Sequence, residues 1–219
     1  MSRKTAEKPL LRANGPSRGN RPDSTIFLQN AGSWWKKRQS GQRGIMERNI
    51  SVIKDVNGNQ IVIVNDIRFK GKRNIDWDEV EQYLKQYVGE FIEIAESKEI
   101  IYIGSDLPDE YSGSNYTAKL KGALAKAKAN AAQGIPEMIE IAQNKRFQEN
   151  LERKHDKNAK YGWYRYDSRF AIPVFDENND VLRYNVFHAE LVIRHSENRK
   201  LYLYDIINIK KETSTPLEP

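Results

Sequence analysis

Three stretches in the last third of the chain decide the fold: YGWYRYDSRFAIPVF at 161–175, VLRYNVFHAELVIRH at 181–195 and LYLYDIINI at 201–209. All three are rich in β-branched and aromatic residues, and the polar segments DENND at 176–180 and SENRK at 196–200 separate them. This pattern predicts three strands joined by short turns. Because short turns join neighbouring antiparallel strands, we expect an antiparallel β-meander.

Side chains alternate between the two faces of a strand, so residue parity sorts each predicted strand into two sets. The apolar set, which we expect to be buried, is Phe170, Ile172, Val174, Phe187, Ala189, Leu191, Ile193, Leu201, Leu203, Ile207 and Ile209. The opposite set contains Arg165, Asp167, Arg169, His188, Glu190, Arg194, Tyr202, Tyr204, Asn208 and Lys210. We therefore expect one dry face against the core and one wet face that carries cations, tyrosines and a histidine.

Further elements are predicted upstream of the meander. The apolar runs on either side of Asn57-Gly58 predict a β-hairpin with a type I′ turn, which requires positive φ angles. Asp76 is a suitable N-cap for an amphipathic helix that ends before Gly89. The segments EFIEIAE and KEIIYIG predict two short strands, and the turn-rich stretch 105–115 predicts a loop.

Two consecutive helices are predicted before the meander, at 117–133 and at 135–154. The expected architecture is therefore α+β: an N-terminal hairpin and helix, then two helices packed on an antiparallel β-meander. We divide the chain into a flexible basic arm at 1–48, a small α+β subdomain at 49–115 and a larger α+β domain at 116–217. The alternative is one continuous domain formed by the last two units.

The composition narrows the classes of function. The chain has 36 Lys and Arg against 30 Asp and Glu, a net charge of +6, which favours a polyanionic partner. It has no cysteine, so disulfides, thiolate catalysis and cysteine-based zinc sites are excluded. Spacings typical of metal or cofactor sites are not present in the sequence, and no apolar run is long enough to span a membrane. We expect no metal, no cofactor and no membrane contact, and the absence of cysteine is compatible with a reducing cytosol or with passage through a secretion channel.

The residues of the wet face suit cleavage of RNA without a metal. That reaction needs a base for the 2′-hydroxyl, an acid for the leaving 5′-oxygen and cations for the phosphorane. His188 and Glu190 share one face of a strand about 6–7 Å apart, and Arg194 continues the row. A wet sheet face with a salt-bridged glutamate is the alternative. His155 lies among cations in RKHDKNAKYGWYR, where a solvated helix C-terminus is the alternative.

The segment KKETSTP at 210–216 adds Lys210 and Ser214 at the end of the third strand, where a cation and hydroxyl donors suit a phosphate. A polar C-terminal end with no ligand is the alternative interpretation.

The segments FKGKRNIDWDEVEQYLKQYVG, IYIGSDLPDEY, AKAKANAAQGIPEMIEIA, KYGWYRYDSRFAIPV and LYLYDIINIKKETSTPL together resemble a module of the large polyvalent proteins of phages and conjugative elements. The resemblance covers roughly residues 60–217. In layout, the C-terminal half resembles the barnase–EndoU–colicin–RelE-like nucleases. The resemblance implies a toxin-like ribonuclease, transferred with mobile DNA into a recipient's cytoplasm, with RNA as substrate and an immunity protein as partner.

Nucleases of this group typically draw His or Lys from the helices and Arg, Lys, Ser or Thr from the strands. The resemblance therefore implies catalytic roles for His155, Arg165, Lys210 and Ser214, to which the wet face adds His188 and Glu190. The expected nucleic-acid-binding residues are Lys154, Lys160, Arg169, Arg194 and Tyr204. We predict a metal-independent endoribonuclease with a nuclease-like domain at 116–217. The alternative is a non-catalytic module that binds nucleic acid or protein within a polyvalent protein.

Overall fold

The computed structural model describes residues 48–71, 74–150 and 159–212. Its strands are β1 (Ile50–Lys54), β2 (Gln60–Val64), β3 (Phe91–Glu93), β4 (Ile100–Ile103), β5 (Gln143–Gln148), β6 (Trp163–Phe175), β7 (Val181–His195) and β8 (Leu201–Lys211). Its helices are α1 (Trp77–Leu84), α2 (Leu107–Gly113), α3 (Asn115–Lys119), α4 (Gly122–Ala131) and α5 (Ile135–Glu140), with 3₁₀ turns at Lys85–Tyr87 and Ala132–Gly134. The α+β class predicted from the sequence is confirmed.

The strands form one mixed sheet in the order β1-β2-β6-β7-β8-β4-β3, with β5 also paired to β6. The meander β6-β7-β8 is antiparallel throughout, as predicted. The hairpin β1-β2 joins β6 in parallel, and the hairpin β3-β4 joins β8 in parallel. Strands from 49–115 therefore lie on both sides of the meander, an arrangement that favours the continuous-domain alternative.

The main core lies on one face of the sheet, under the helices. It contains Phe170, Phe187, Leu191 and Leu203, each no more than 1% exposed, as parity predicts. The opposite face is not wet throughout, because a small second cluster of Ile61, Ile63, Ala171 and Val186 is buried there at one end.

The parity prediction was wrong for Ile207. Ile206 is fully buried in the main core, whereas Ile207 is half-buried. Val192 pairs with Asp205 while the adjacent Ile193 pairs with Leu203, so β8 carries an extra residue at Tyr204. This bulge reverses the alternation as far as Ile207, and a second register shift between Glu190 and His188 restores it, so that Ile209 is buried again.

The predicted hairpins are present, but the type I′ turn at Asn57-Gly58 is not. Gly58 has a φ of 81°, whereas Asn57 does not have a positive φ. The Asp55 carboxylate accepts hydrogen bonds from the backbone N–H groups of Asn57 and Asn59, both at 2.9 Å. These bonds favour a three-residue loop whose last residue alone is left-handed.

The turns after β6 and β7 repeat this arrangement, with Asn179 and Arg199 in the left-handed position at φ 66° and 60°. In each turn, the N–H of this residue donates to the carbonyl three positions earlier, at Asp176 or Ser196.

The helical region differs from the prediction in three places, the first of which is that the helix predicted at 117–133 is divided at Leu120 and Lys121 into α3 and α4. The stretch 105–115, predicted as a loop, contains α2, whose Pro108 lies in the first turn where its missing N–H is tolerated. The helix predicted at 135–154 ends at Glu140. Asn144 then has a φ of 56°, which a helix does not accommodate, and the following residues form β5.

The first predicted helix is confirmed in detail. Asp76 caps α1, since its carboxylate accepts a hydrogen bond from the N–H of Glu79 at 3.1 Å. Gly89 lies beyond the helix end with a φ of 92°.

Arg48, which we assigned to the N-terminal arm, is part of the fold. Its side chain is only 3% exposed and forms a two-pronged ion pair with Glu137, with both N–O distances at 3.0 Å. Residues 1–47 of the predicted arm lie outside the described residues.

Candidate functional site

The three long strands bring a histidine between two cations. Arg169 of β6 lies opposite His188 of β7, and His188 lies opposite Lys210 of β8. Residues opposite each other in antiparallel strands have side chains on the same face, about 5 Å apart at Cβ. We call these three residues the histidine row. His188, Arg169 and Asp167 also line a cleft of about 210 Å³ between the meander and the segments around β2 and β5.

Asp167 is the nearest acidic partner of His188. Its Oδ1 lies 3.4 Å from Nε2 of His188. Arg146 donates to both oxygens of Asp167, at 2.8 and 2.7 Å, and Asn144 donates to Oδ2 at 3.0 Å. The hydrogen bonds from Arg146 lower the pKa of Asp167 below its usual value, despite partial burial. Asp167 is therefore a fixed anion beside the imidazole.

Glu190 lies in the next row of the same face. It pairs in register with Asp167, and it follows His188 by two residues on β7. Its Oε1 is 3.9 Å from Nη2 of Arg146, so one guanidinium lies between the two carboxylates. The chain therefore places two carboxylates around Arg146, and one of them, Asp167, also contacts the imidazole of His188.

Arg169 is held firmly at its end of the histidine row. Its Nε and Nη2 donate to the two oxygens of Glu212 at 2.8 and 2.7 Å, and Nη1 donates to Asp55 at 2.6 Å. The hydrogen bonds to Glu212 raise the pKa of Arg169 above its usual value. With two carboxylates bound, Arg169 has little charge left for a phosphate. Lys210, at the other end of the row, is exposed.

Arg165 does not lie in the histidine row. It is opposite Val192, four residues along β7 from His188, a separation of about 13 Å. Nε and Nη2 contact Oε1 of Gln148 at 3.4 and 3.3 Å, and the buried Nη1 has no hydrogen-bond partner among the described residues. Arg165 and Lys210, both expected to hold one phosphate, are therefore placed to contact different phosphates.

Several of the cations expected to bind nucleic acid are paired with carboxylates. Lys160 contacts Glu197 at 2.7 Å, and Arg194 contacts Asp106 at 3.0 Å. Tyr204 packs edge-on against Trp163, with ring centroids 5.0 Å apart. The described part of this surface is thus of mixed charge, with carboxylates beside most of the cations named above.

Three of the candidate residues, Lys154, His155 and Ser214, lie outside the described residues. Their predicted roles therefore stay predictions.

Four residues of the site were not among our candidates, and they come from remote segments. Asn144 and Arg146 both lie on β5, whose sequence is polar and does not alternate between polar and apolar residues. Asp55 belongs to the first hairpin turn, and Glu212 follows the last strand. No local pattern in the sequence marks these contacts. Parity, in contrast, placed Asp167 on the wet face, but it did not predict that Asp167 contacts His188.

Within the described ranges, no group of three or more His, Asp or Glu residues is arranged to hold a metal ion. In the same ranges, none of the helices has the length and apolar character needed to cross a membrane. Comparison of the chain with protein-family models, with curated proteins and with solved structures finds no match.

Proposed function

We propose that the protein is a metal-independent endoribonuclease whose reaction takes place at the histidine row. One observation carries the proposal: His188 lies 3.4 Å from the fixed Asp167 anion and directly opposite the exposed Lys210. An acid, a base and a cation that stabilises charge are then available on one face, with Glu190 as the base.

In the proposed reaction, Glu190 takes the proton of the ribose 2′-hydroxyl. The 2′-oxygen attacks phosphorus, a P–O2′ bond forms, the P–O5′ bond breaks, and a 2′,3′-cyclic phosphate results. The protonated His188 gives its proton to the leaving 5′-oxygen. Glu190 and His188 lie about 6–7 Å apart on the strand, a spacing that suits a base and an acid on opposite sides of one phosphate.

The neighbouring residues have supporting roles. Asp167 contacts the His188 ring, with its Oδ1 3.4 Å from Nε2, and so holds the ring in place. Lys210 supplies the positive charge that stabilises the phosphorane. Arg169 is bound to the carboxylates of Glu212 and Asp55, which leave it little charge for a phosphate.

RNA cleavage in the presence of EDTA tests the proposal. We expect the protein to cut RNA, to leave 2′,3′-cyclic phosphate ends, and to lose turnover by about 10²–10⁴-fold in His188→Ala with little change in RNA affinity. His195→Ala is the matched control, since His195 is on the same strand but on the opposite parity. Full activity of His188→Ala together with loss of activity in His155→Ala would transfer the catalytic role to His155.

The second candidate function is a non-catalytic binding module of a larger polyvalent protein. The ion pairs of Arg146, Arg169, Arg194 and Lys160 with carboxylates favour it, because they leave less free charge for a phosphodiester. Binding of RNA or protein without any cleavage by the unmodified chain would support this function. A recipient's cytoplasm as the place of action and an immunity protein as partner are parts of the proposal that rest on the resemblance alone.

A further inference from the structure

A row of aromatic side chains crosses the sheet at the end opposite the histidine row. Arg194 of β7 lies between Trp163 of β6 and Tyr202 of β8. Tyr202 pairs in register with Tyr102 of β4, and Tyr102 pairs with Phe91 of β3. Five adjacent strands thus each place one residue on a continuous line. We call Trp163, Arg194, Tyr202, Tyr102 and Phe91 the aromatic row.

The aromatic row lies on the face away from the main core. The strand neighbours of its members, such as Ile101, Ile103 and Leu203, are all buried in that core. Because strand residues alternate, the row itself points to the other side, the face that also carries His188. Phe91 is 50% exposed, which places a large apolar side chain in water. Such exposure of a ring within an aromatic surface is typical of a binding surface.

Neighbouring rings contact one another without stacking flat. The centroids of Phe91 and Tyr102 are 5.8 Å apart with planes tilted by 42°, and those of Tyr102 and Tyr202 are 5.7 Å apart with a tilt of 43°. Asn198 donates to the hydroxyl of Tyr202 at 2.9 Å, which fixes that ring. The rings therefore form a continuous series across three strands, in which each ring contacts the next.

Cations lie over the same rings. The guanidinium carbon of Arg194 is 4.5 Å from the centroid of Tyr202, and Nζ of Lys200 is 4.3 Å from the centroid of Tyr102. A cleft of about 510 Å³ adjoins this part of the row and is lined by Arg194, Tyr202, Gly104 and Asn198, among others. Rings interleaved with cations are the combination that single-stranded nucleic acids require: every base has a flat face for stacking, and every phosphate has a negative charge.

We propose that the aromatic row is a platform on which unpaired bases of single-stranded RNA stack. The inference rests on the proposed ribonuclease function for the identity of the nucleic acid, and it narrows the substrate class to RNA that is not base-paired. A polyanion gains from the positive charge of Lys200, whereas a protein partner would gain less from it.

The position of the row relative to His188 sets the length of RNA needed. Arg194 is six residues from His188 on β7, a separation of about 20 Å. This distance corresponds to about six nucleotides in stacked geometry and to fewer in an extended strand. Arg165 lies between the two rows on the same face, where it can contact a phosphate of the bound strand.

Binding is measured with a fluorescent 12-nucleotide oligouridine in the His188→Ala background, so that no cleavage interferes. We expect the added double change Phe91→Ala/Tyr102→Ala to weaken binding by at least tenfold, as expected for the loss of one or two stacked bases. Phe175→Ala, which removes a partly exposed ring at the far end of β6, is the matched control and should bind normally. Phe91→Tyr keeps a ring and should also bind normally, and the same RNA in a perfect duplex should bind at least tenfold more weakly.

Cleavage of a dinucleotide separates this proposal from the proposed function, because a dinucleotide at His188 cannot reach the aromatic row. With the His188 side chain intact, Phe91→Ala/Tyr102→Ala should cleave it at the unmodified rate. Normal binding of the 12-mer by the double variant, or equal binding of single strand and duplex, would overturn the platform and leave the ribonuclease proposal standing. Loss of 12-mer binding in the double variant, with no cleavage by any variant, would support the platform and overturn the nuclease. Binding of a protein in place of RNA would overturn both.

Discussion

The ammonium of Lys128 lies 2.6 Å from Oδ1 of Asp205, and their side chains are 0% and 4% exposed. Lys128 also donates to Thr117 at 2.6 Å, and Ser114 donates to the other oxygen of Asp205 at 2.9 Å. A buried ion pair of this kind links the helices α3 and α4 to the bulge in β8. Because both charges are removed from water, each depends on the other to remain in the fold.

Removal of one member of this pair should be far more costly than removal of both. We expect Lys128→Met to lower the free energy of unfolding by about 3–5 kcal/mol, since it leaves the Asp205 carboxylate buried without its cation. Lys128→Met/Asp205→Leu should recover most of that loss. Urea unfolding measures both, with Lys119→Met on the exposed side of α3 as the control. Equal losses in the single and double variants would contradict this account.

Acid should destabilise the fold partly through Asp167. Its pKa in the fold lies below the ordinary value of 3.8, chiefly because of the hydrogen bonds from Arg146. A group with a lowered pKa stabilises the fold at pH values above its unfolded pKa, and this contribution is lost as the pH falls through the folded pKa. We therefore expect Asp167→Asn to be less stable than the unmodified chain at pH 7 and to show a flatter loss of stability below about pH 4. Thermal unfolding at a series of pH values checks this, and parallel pH profiles for the two proteins would refute it.

The salt dependence of RNA binding should be moderate. Among the described residues, Arg165, Lys200 and Lys210 lie where they can contact phosphates of the bound strand, so these three should make the logarithm of affinity fall with the logarithm of salt with a slope of about −2. Lys210→Gln should reduce the magnitude of this slope by about 0.7. Lys160→Gln should leave it unchanged, because Glu197 already neutralises Lys160. If Lys160→Gln reduces the magnitude of the slope as much as Lys210→Gln does, the ion pair between Lys160 and Glu197 must open when RNA binds.

Gly162 should not tolerate a side chain. Its φ is 91°, and an added Cβ would lie 2.7 Å from Cε2 of Phe147 and 2.9 Å from the carbonyl oxygen of Gln148. Gly58 has a similar φ of 81° but open space around it. We expect Gly58→Ala to cost about 1–2 kcal/mol from backbone strain, and Gly162→Ala to cost more because β5 must move. Chemical denaturation measures the loss in free energy of unfolding for each variant. Equal losses would show that β5 moves away from the added side chain without an energetic cost.

Parity was enough to place Arg169 and His188 on one face, because the long strands β6 and β7 pair without a register shift between these residues and Trp163. Lys210 lies on the predicted face because the two register shifts in β8 cancel. The same reasoning could not foresee the extra residue at Tyr204, since a bulge depends on pairing with another strand. It therefore assigned burial to Ile207, whereas Ile206 is the buried residue.

The site residues that the sequence did not predict share one property. Asp55, Arg146 and Glu212 come from separate parts of the chain and meet the meander only after folding. Helical periodicity in the segment around Arg146 predicted a helix, but the left-handed Asn144 and pairing with β6 produce a strand instead. Tertiary pairing overrides a weak local preference in such cases.

The parallel pairing of β2 with β6 joins Val62 to Phe170, and that of β4 with β8 joins Ile103 to Leu203, so each contact links opposite halves of the chain. During synthesis on the ribosome, the two early hairpins emerge long before the strands they must join. The edges of these hairpins stay unpaired until the meander has been synthesised. Each pairing then closes a long loop of chain, which slows folding. A chain with this topology is exposed to misassembly while it is being made, because β2 and β4 cannot complete their pairing until β6 and β8 have been synthesised.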